Sequence, residues 1–263
     1  APGMTDILVI GDSCTDVYIY GRCDRLCPDA PVPVLIPSEQ VSNGGMAKNV
    51  YENVKSFGSS ADFLTNSAEI TKTRYVDEKT NQMLVRIDSE LRPLDRIKGL
   101  KDISYEDYQV IIISDYCKGF LHREDIKFIC SSHENVFLDT KKILGPYCAG
   151  AKIIKINEQE LLNNTNAHVD LSPFKDSLIT TLGREGCKHQ GGTYPVKEVK
   201  IKDMTGAGDT FISSLAVNFI STRDIPTAIK FANKCSTIIV QKRGVNRIGD
   251  FIKQGSGINL KAM

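Results

Sequence analysis

The run Asp203-Met204-Thr205-Gly206-Ala207-Gly208-Asp209-Thr210-Phe211 brings together the residue types that phosphoryl transfer needs. Gly206, Ala207 and Gly208 let the main chain approach an anion closely and leave backbone N–H groups open to it. Behind them Phe211, Ile212, Leu215, Ala216 and Phe219 recur at helical spacing, so the turn is expected at a helix N-terminus. There the open amides and the positive end of the helix dipole favour the charge on a transferring phosphoryl group. Asp209 follows the turn directly and is the candidate base for an attacking hydroxyl. The alternative is that Asp209 only caps the helix after a loop, and other segments must decide between the two.

Short runs of branched residues at 7–10, 110–113, 136–138, 153–156 and 178–181 alternate with helical or loop material. Their continuous apolar character predicts strands covered on both faces, as in a parallel α/β sheet. Ligands of such sheets lie at the carboxyl ends of the strands. Here those ends carry Gly11-Asp12, Ser114-Asp115, Asp139-Thr140-Lys141, Asn157 and Leu182-Gly183. A different texture marks 17–20, 32–36, 73–76 and 83–87, where Met83, Val85 and Ile87 alternate with Leu84, Arg86 and Asp88. This period of two predicts a small antiparallel layer over the site. Gly44-Gly45 is expected to open a helix carrying Met46, Val50, Val54 and Phe57 until Gly58 ends it, with Asn49 one turn in. No internal repeat, low-complexity tract or linker interrupts the chain.

At 263 residues the chain has room for one domain, or one domain with a small appendage. Hydrophobic residues at 41% and charged residues at 25% are ordinary for a globular protein. A net charge of +1 argues against a nucleic-acid partner, which usually needs a basic domain or stripe. The longest apolar runs are too short to span a bilayer, and the start lacks a basic region followed by an apolar one; a cytoplasmic location is expected. Ala1-Pro2-Gly3 reads as an expression remnant, leaving a single domain over 4–263. The eight cysteines form no Cys-x-x-Cys pair, so reduced thiols are expected rather than a structural metal.

Taken in order, Gly11-Asp12 with Asp16, Gly44-Gly45 with Asn49, Asn157-Glu158-Gln159-Glu160, the segment Thr181-Leu182-Gly183-Arg184-Glu185-Gly186, and the Asp203 to Thr210 run resemble the ribokinase-like carbohydrate kinase family across about 7–244. The resemblance implies a mainly parallel sheet with helices on both faces, plus a small antiparallel β lid built from segments near 17–41 and 71–90. Tyr20-Gly21-Arg22, Pro28-Asp29-Ala30-Pro31-Val32-Pro33-Val34, Thr71-Lys72-Thr73-Arg74 and Ser114-Asp115-Tyr116-Cys117-Lys118-Gly119 are most similar to one subgroup. Its members are the kinase domains of bifunctional ADP-heptose synthases, which phosphorylate D-glycero-D-manno-heptose 7-phosphate at the anomeric oxygen. With no nucleotidylyltransferase segment after Met263, the kinase step alone is expected.

The resemblance also implies roles. Asp209 would be the base, with the amides of Gly206, Ala207 and Gly208 stabilising the transferring group. Asp12 and Asp16, joined by Gly44, Gly45 and Asn49, would bind sugar hydroxyls, several of which a carboxylate can accept. The sugar's own phosphate needs cations; Lys72, Arg74, Arg86, Lys118 and Lys141 are the candidates, Lys141 first among them. Thr181, Gly183, Gly186 and Asn233 would shape the ATP site with Asn157, and Asn157 with Glu160 would hold Mg2+ and its waters. A homodimer through the lid is implied as well. Between Phe63 and Thr71 the chain is shorter than the family, which usually carries another helix and strand there. Two alternatives stay open: another sugar, sugar-phosphate or nucleoside kinase of this fold, and a sugar or nucleotide sensor without turnover.

Overall fold

The computed structural model describes residues 4–89 and 92–253. The expected remnant Ala1-Pro2-Gly3, position 90 at the end of the expected lid, and positions 254–263 of the expected domain lie outside the described residues. The chain opens with β1 (Thr5–Gly11), then enters β2 (Ser13–Leu26) and β3 (Pro33–Met46), followed by α1 (Ala47–Ser56) and β4 (Ala61–Leu64). A hairpin of β5 (Thr71–Asp77) and β6 (Gln82–Asp88) comes next. After it run β7 (Tyr108–Asp115), α2 (Arg123–Ser132), β8 (Val136–Thr140), β9 (Ile153–Asn157), α3 (Glu158–Asn166) and β10 (Leu178–Thr181). The chain closes with β11 (Cys187–His189), β12 (Gly192–Tyr194), α4 (Ala207–Thr222), α5 (Ile225–Ile239) and α6 (Ile248–Lys253).

The main sheet has the order β12-β11-β10-β9-β8-β7-β1-β4. Its strands are parallel from β4 to β10, and β11 and β12 close one edge antiparallel. Every apolar run expected to be a buried strand lies in it. Successive residues of a strand point to opposite faces, which divides the core in two. Ile111, Ile113, Leu138 and Ile154 pack with Ile126 and Ile129 of α2, whereas Val110, Ile112, Phe137 and Ile153 pack with residues of α1, α4 and α5. Each such buried side chain contributes about 1.5–3 kcal/mol, so helices on both faces follow from strands that are apolar on both.

The second sheet, β3-β2-β5-β6, is made of two antiparallel hairpins. Its middle seam, β2 with β5, is parallel because both strands leave the same edge of the parallel neighbours β1 and β4. Gly44 and Gly45 are not the start of a helix, as periodicity suggested; they pair with Thr15 and Cys14 as the last part of β3. The helix begins at Ala47, after Met46 at φ 55°. On β6 the apolar face is outward: Val85 and Ile87 are about half exposed, while Arg86 shares the face of its neighbour Arg74. β4, which precedes the short stretch before β5, is the edge strand of the main sheet, and Phe63 stacks on Tyr51 of α1 at 4.9 Å. Among the described residues no helix is long and apolar enough to cross a membrane.

Candidate active site

The N-terminus of α4 lies at the carboxyl edge of the main sheet, and a cavity of about 440 Å³ opens against it. Gly206 adopts φ 78°, a left-handed conformation that suits glycine, and no side chain caps the helix. The amide of Ala207 is closed on the Met204 carbonyl, whereas those of Gly206, Gly208 and Asp209 have no acceptor among the described residues. Open donors at a helix start form an anion site. The ammonium of Lys155 lies beside it, since a Cβ on Gly208 would come within 2.7 Å of Nζ. Lys155 is only 2% exposed and pairs with Asp139 of β8 at 3.0 Å. A buried pair of this kind is retained only while both partners are present.

Asp209 does not cap α4. Its Oδ2 accepts from Asn49 Nδ2 at 2.9 Å and its Oδ1 from the Tyr116 hydroxyl at 2.7 Å. Burial pushes its pKa up from 3.8 to about 6; the two donors oppose that rise and the nearby charge of Asp139 adds to it. A carboxylate poised near neutrality, fixed at both oxygens and facing a cavity has the properties of a general base. Asn49 is itself held, because Asn53 Nδ2 donates to its Oδ1 at 3.1 Å.

Below the lid, Asp16 accepts from Arg74 at 2.6 Å. The Arg74 guanidinium also lies 5.1 Å from the Tyr18 ring centre. Gly45 packs directly against Asp16: an added Cβ would fall 2.2 Å from Asp16 Oδ2 and 2.5 Å from Cys14 Sγ. Gly44 meets the flexible side chains of Lys48 and Glu52 instead. Lys72, the register neighbour of Asp16, is 8% exposed and makes no side-chain hydrogen bond or ion pair among the described residues. Asp12 is occupied differently. Its two oxygens accept the backbone N–H groups of Tyr116 and Lys118 at 2.8 and 3.0 Å, and burial raises its pKa.

Asn157, Thr181, Gly183, Gly186, Asn233 and Lys141 line the cavity at the α4 turn. Gly186 has φ +84°, and a Cβ there would strike the Tyr194 carbonyl at 1.9 Å. Asn233 spends its amide nitrogen on that same carbonyl at 3.0 Å. Asn157 and Glu160 form the capping box of α3, each side chain accepting the other's backbone N–H. Glu160 Oε2 also receives Lys141 Nζ at 3.1 Å, and that ammonium lies 5.1 Å from the Tyr116 ring centre. Burial works against the charge of Lys141, yet Asp139 and Glu160 hold its pKa above the usual value. Arg86 stands apart on the lid's edge strand, 44% exposed and paired with Asp88.

Sequence reasoning assigned no role to Tyr116, Lys155 or Asn53. Lys155 carries a signal in retrospect, as a lysine inside the apolar run Ile153-Ile154-Lys155-Ile156. Asn53 follows Asn49 by one helical turn, an i,i+4 pair. Tyr116 carries no local signal, because its partner is 93 residues away.

The sequence profile of the pfkB family carbohydrate kinases matches residues 124–249. The bifunctional protein HldE of Helicobacter pylori strain J99 is 33% identical over 296 residues, covering 92% of this chain and 64% of that protein. The protein of the same name from Hydrogenovibrio crunogenus is 31% identical, covering 93% and 61%. The chain thus spans less than two thirds of the length of these relatives. Among solved structures, a ribokinase from Thermotoga maritima superposes with a TM-score of 0.70 at 16% identity, covering 95% of this chain and 99% of that one. Phosphofructokinase-2 from Escherichia coli follows at 0.68 and 13%, covering 95% and 97%. The glycine turn and the fixed acid agree with this likeness: over residues 124–249 the chain is similar to the pfkB family carbohydrate kinases, and its fold is that of the ribokinase and phosphofructokinase-2 structures.

Proposed function

We propose that the protein transfers the γ-phosphate of ATP to O1 of a heptose 7-phosphate, giving a heptose 1,7-bisphosphate. The observation that carries the reading is Asp209, turned away from its own helix end and held by Asn49 and Tyr116 beside open amides. The 440 Å³ cavity would take ATP, and the open N–H groups of Gly206, Gly208 and Asp209 would be available to its γ-phosphate. Asp209 accepts the proton of the sugar O1 hydroxyl as the O1–P bond forms, the bond from γ-phosphorus to the bridging oxygen breaks, and ADP leaves with that electron pair. Catalysis is then positioning and charge stabilisation, with Lys155 adding a fixed cation next to the amides.

Asn157 and Asp139 line the cavity, Asp139 Oδ1 is buried without a partner, and Glu160 shares the capping box of Asn157; these hard oxygen atoms would suit Mg2+ retaining most of its water. Bound there, the ion would neutralise phosphate charge. Asp16, Gly45 and Arg74 take the sugar hydroxyls. Lys72 suits the sugar's phosphate better than Lys141, whose ammonium is committed to Glu160 and the Tyr116 ring. The heptose assignment draws on the likeness to HldE proteins, and the lid's exposed Val85 and Ile87 favour a homodimer through that face. We place the activity in the cytoplasm, where ATP is supplied, as one domain over 4–263 with lid segments near 17–41 and 71–90.

ADP release with ATP and Mg2+ is the test, run across heptose 7-phosphate, fructose 6-phosphate, ribose and a nucleoside. The fastest turnover is expected with heptose 7-phosphate. Faster turnover of another acceptor would overturn the substrate assignment, and tight binding without ADP release from any acceptor would overturn catalysis.

A further inference from the structure

Tyr116 sits on a loop that the fold holds with unusual care. β7 ends at Asp115, whose Oδ1 accepts the Cys117 amide at 3.0 Å and whose Oδ2 receives Thr140 Oγ1 and Lys142 Nζ at 2.6 and 2.7 Å. Asp12, fully buried, takes the amides on either side of Cys117, those of Tyr116 and Lys118. Cys117 adopts φ +59°, which turns the chain sharply between them. Two buried carboxylates therefore fix a three-residue loop, and the side chain it presents lines the cavity with its hydroxyl on Asp209 Oδ1. Lys141 braces the ring from its face.

We propose that Tyr116 is a positioning residue of the transfer step: its hydroxyl holds Asp209 Oδ1 while Asn49 holds Oδ2, so the carboxylate meets the acceptor hydroxyl in one orientation. Asp12 and Asp115 act through it by holding its loop. This accounts for the conformation of Asp209, which neither its own helix nor the lid determines. It also gives Asp12 a task other than contact with sugar.

The geometry limits what else sets the state of Asp209. The charged and titratable groups around it are Asp139 of β8, Lys155 of β9, Cys14 of β2, Tyr116 and Lys141, the last paired with Glu160 of α3. Burial holds the Tyr116 hydroxyl far above its usual pKa, so it stays a donor throughout the working range. Removing it withdraws one of two donors to the charged form, leaving burial and Asp139 unchanged. The proton affinity of Asp209 should then rise about tenfold, one pH unit.

The proposal rests on Asp209 being the base of the kinase read above, and not on which sugar is used. Its test is the titration of the Asp209 side-chain carboxyl carbon by ¹³C NMR in wild type and Y116F, with D209N identifying the signal. The midpoint is expected to rise by about one unit in Y116F, and the acid limb of kcat to move with it while KM for ATP holds. An unmoved midpoint with a loss of kcat equal at every pH would reduce Tyr116 to packing and overturn the proposal. Phenylalanine keeps the ring, and a thermal melt checks the fold. Should Y116F not fold, incorporation of 3-fluorotyrosine makes the phenol a stronger donor and must lower the midpoint; no movement would again overturn the proposal. Absence of turnover with any heptose phosphate would refute the substrate assignment while leaving the carboxyl titration intact.

Discussion

Ionised Asp209 is costly to the fold, and D209N measures how costly. Burial raises its pKa from 3.8 to about 6 even with two donors in place. That difference, about 2 units at 1.36 kcal/mol each, amounts to about 3 kcal/mol. Below pH 3.8 the carboxyl is protonated in both folded and unfolded chains, and there is no penalty. Between 3.8 and about 6 the folded protein keeps a proton that the unfolded chain has lost, so stability falls as pH rises; above 6 the full penalty is present. Asparagine fits the same space: its oxygen can accept from Asn49, and its NH2 can donate to the Tyr116 hydroxyl, which rotates to accept. At pH 8, D209N should therefore be more stable by about 3 kcal/mol, roughly 6–10 °C in Tm for a chain of this size. The gain should shrink to about 0.5 kcal/mol at pH 4, while turnover drops by about 10² or more. Scanning calorimetry of both proteins from pH 4 to 8 is the assay. A D209N melting point at or below wild type at pH 8, with parallel pH dependence, would refute the argument that burial sets the state of this acid.

Other substitutions separate the parts of the site. G45A drives a methyl group into Asp16 and Cys14, so KM for the sugar should rise tenfold or more with KM for ATP unchanged, about 1.4 kcal/mol or more by initial rates. K72M should raise KM about tenfold or more for a phosphorylated sugar and leave that of its unphosphorylated counterpart nearly unaltered, as expected for one charge-assisted contact. In G186A the new Cβ meets the Tyr194 carbonyl at φ +84°, and urea unfolding should show a loss of about 2 kcal/mol or more. E160Q keeps the size of the side chain while removing the charge opposite Lys141, so the Mg2+ concentration for half-maximal rate should increase about tenfold in a metal titration.

The main sheet was legible because its strands are apolar on both faces, and continuous runs such as Val110-Ile111-Ile112-Ile113 have no other compact use at that length. The polar residues at their ends gave the edge where the site lies, for the same reason. Gly44-Gly45 misled because the apolar spacing of Met46, Val50 and Val54 continues back toward a glycine pair, while the pairing of β2 with β3 that claims those amides is a nonlocal contact. Asp12 read as a sugar ligand because a carboxylate at a strand end looks the same whether it faces a ligand or a distant loop. Its partners are 104 and 106 residues away. Tyr116 was silent for that reason too: tertiary geometry, not local pattern, brings it to Asp209.

In the proposed reaction Asp209, beside the amides at the start of α4, moves phosphate from ATP to the anomeric oxygen of a carbohydrate. ³¹P and ¹H NMR of the product formed from ATP and D-glycero-D-manno-heptose 7-phosphate, by wild type and by D209N, tests it most directly. A new phosphate coupled to the anomeric proton, made by wild type and at least about 10² more slowly by D209N, is the predicted result. Phosphate on any other oxygen, or equal rates from the two proteins, would contradict it.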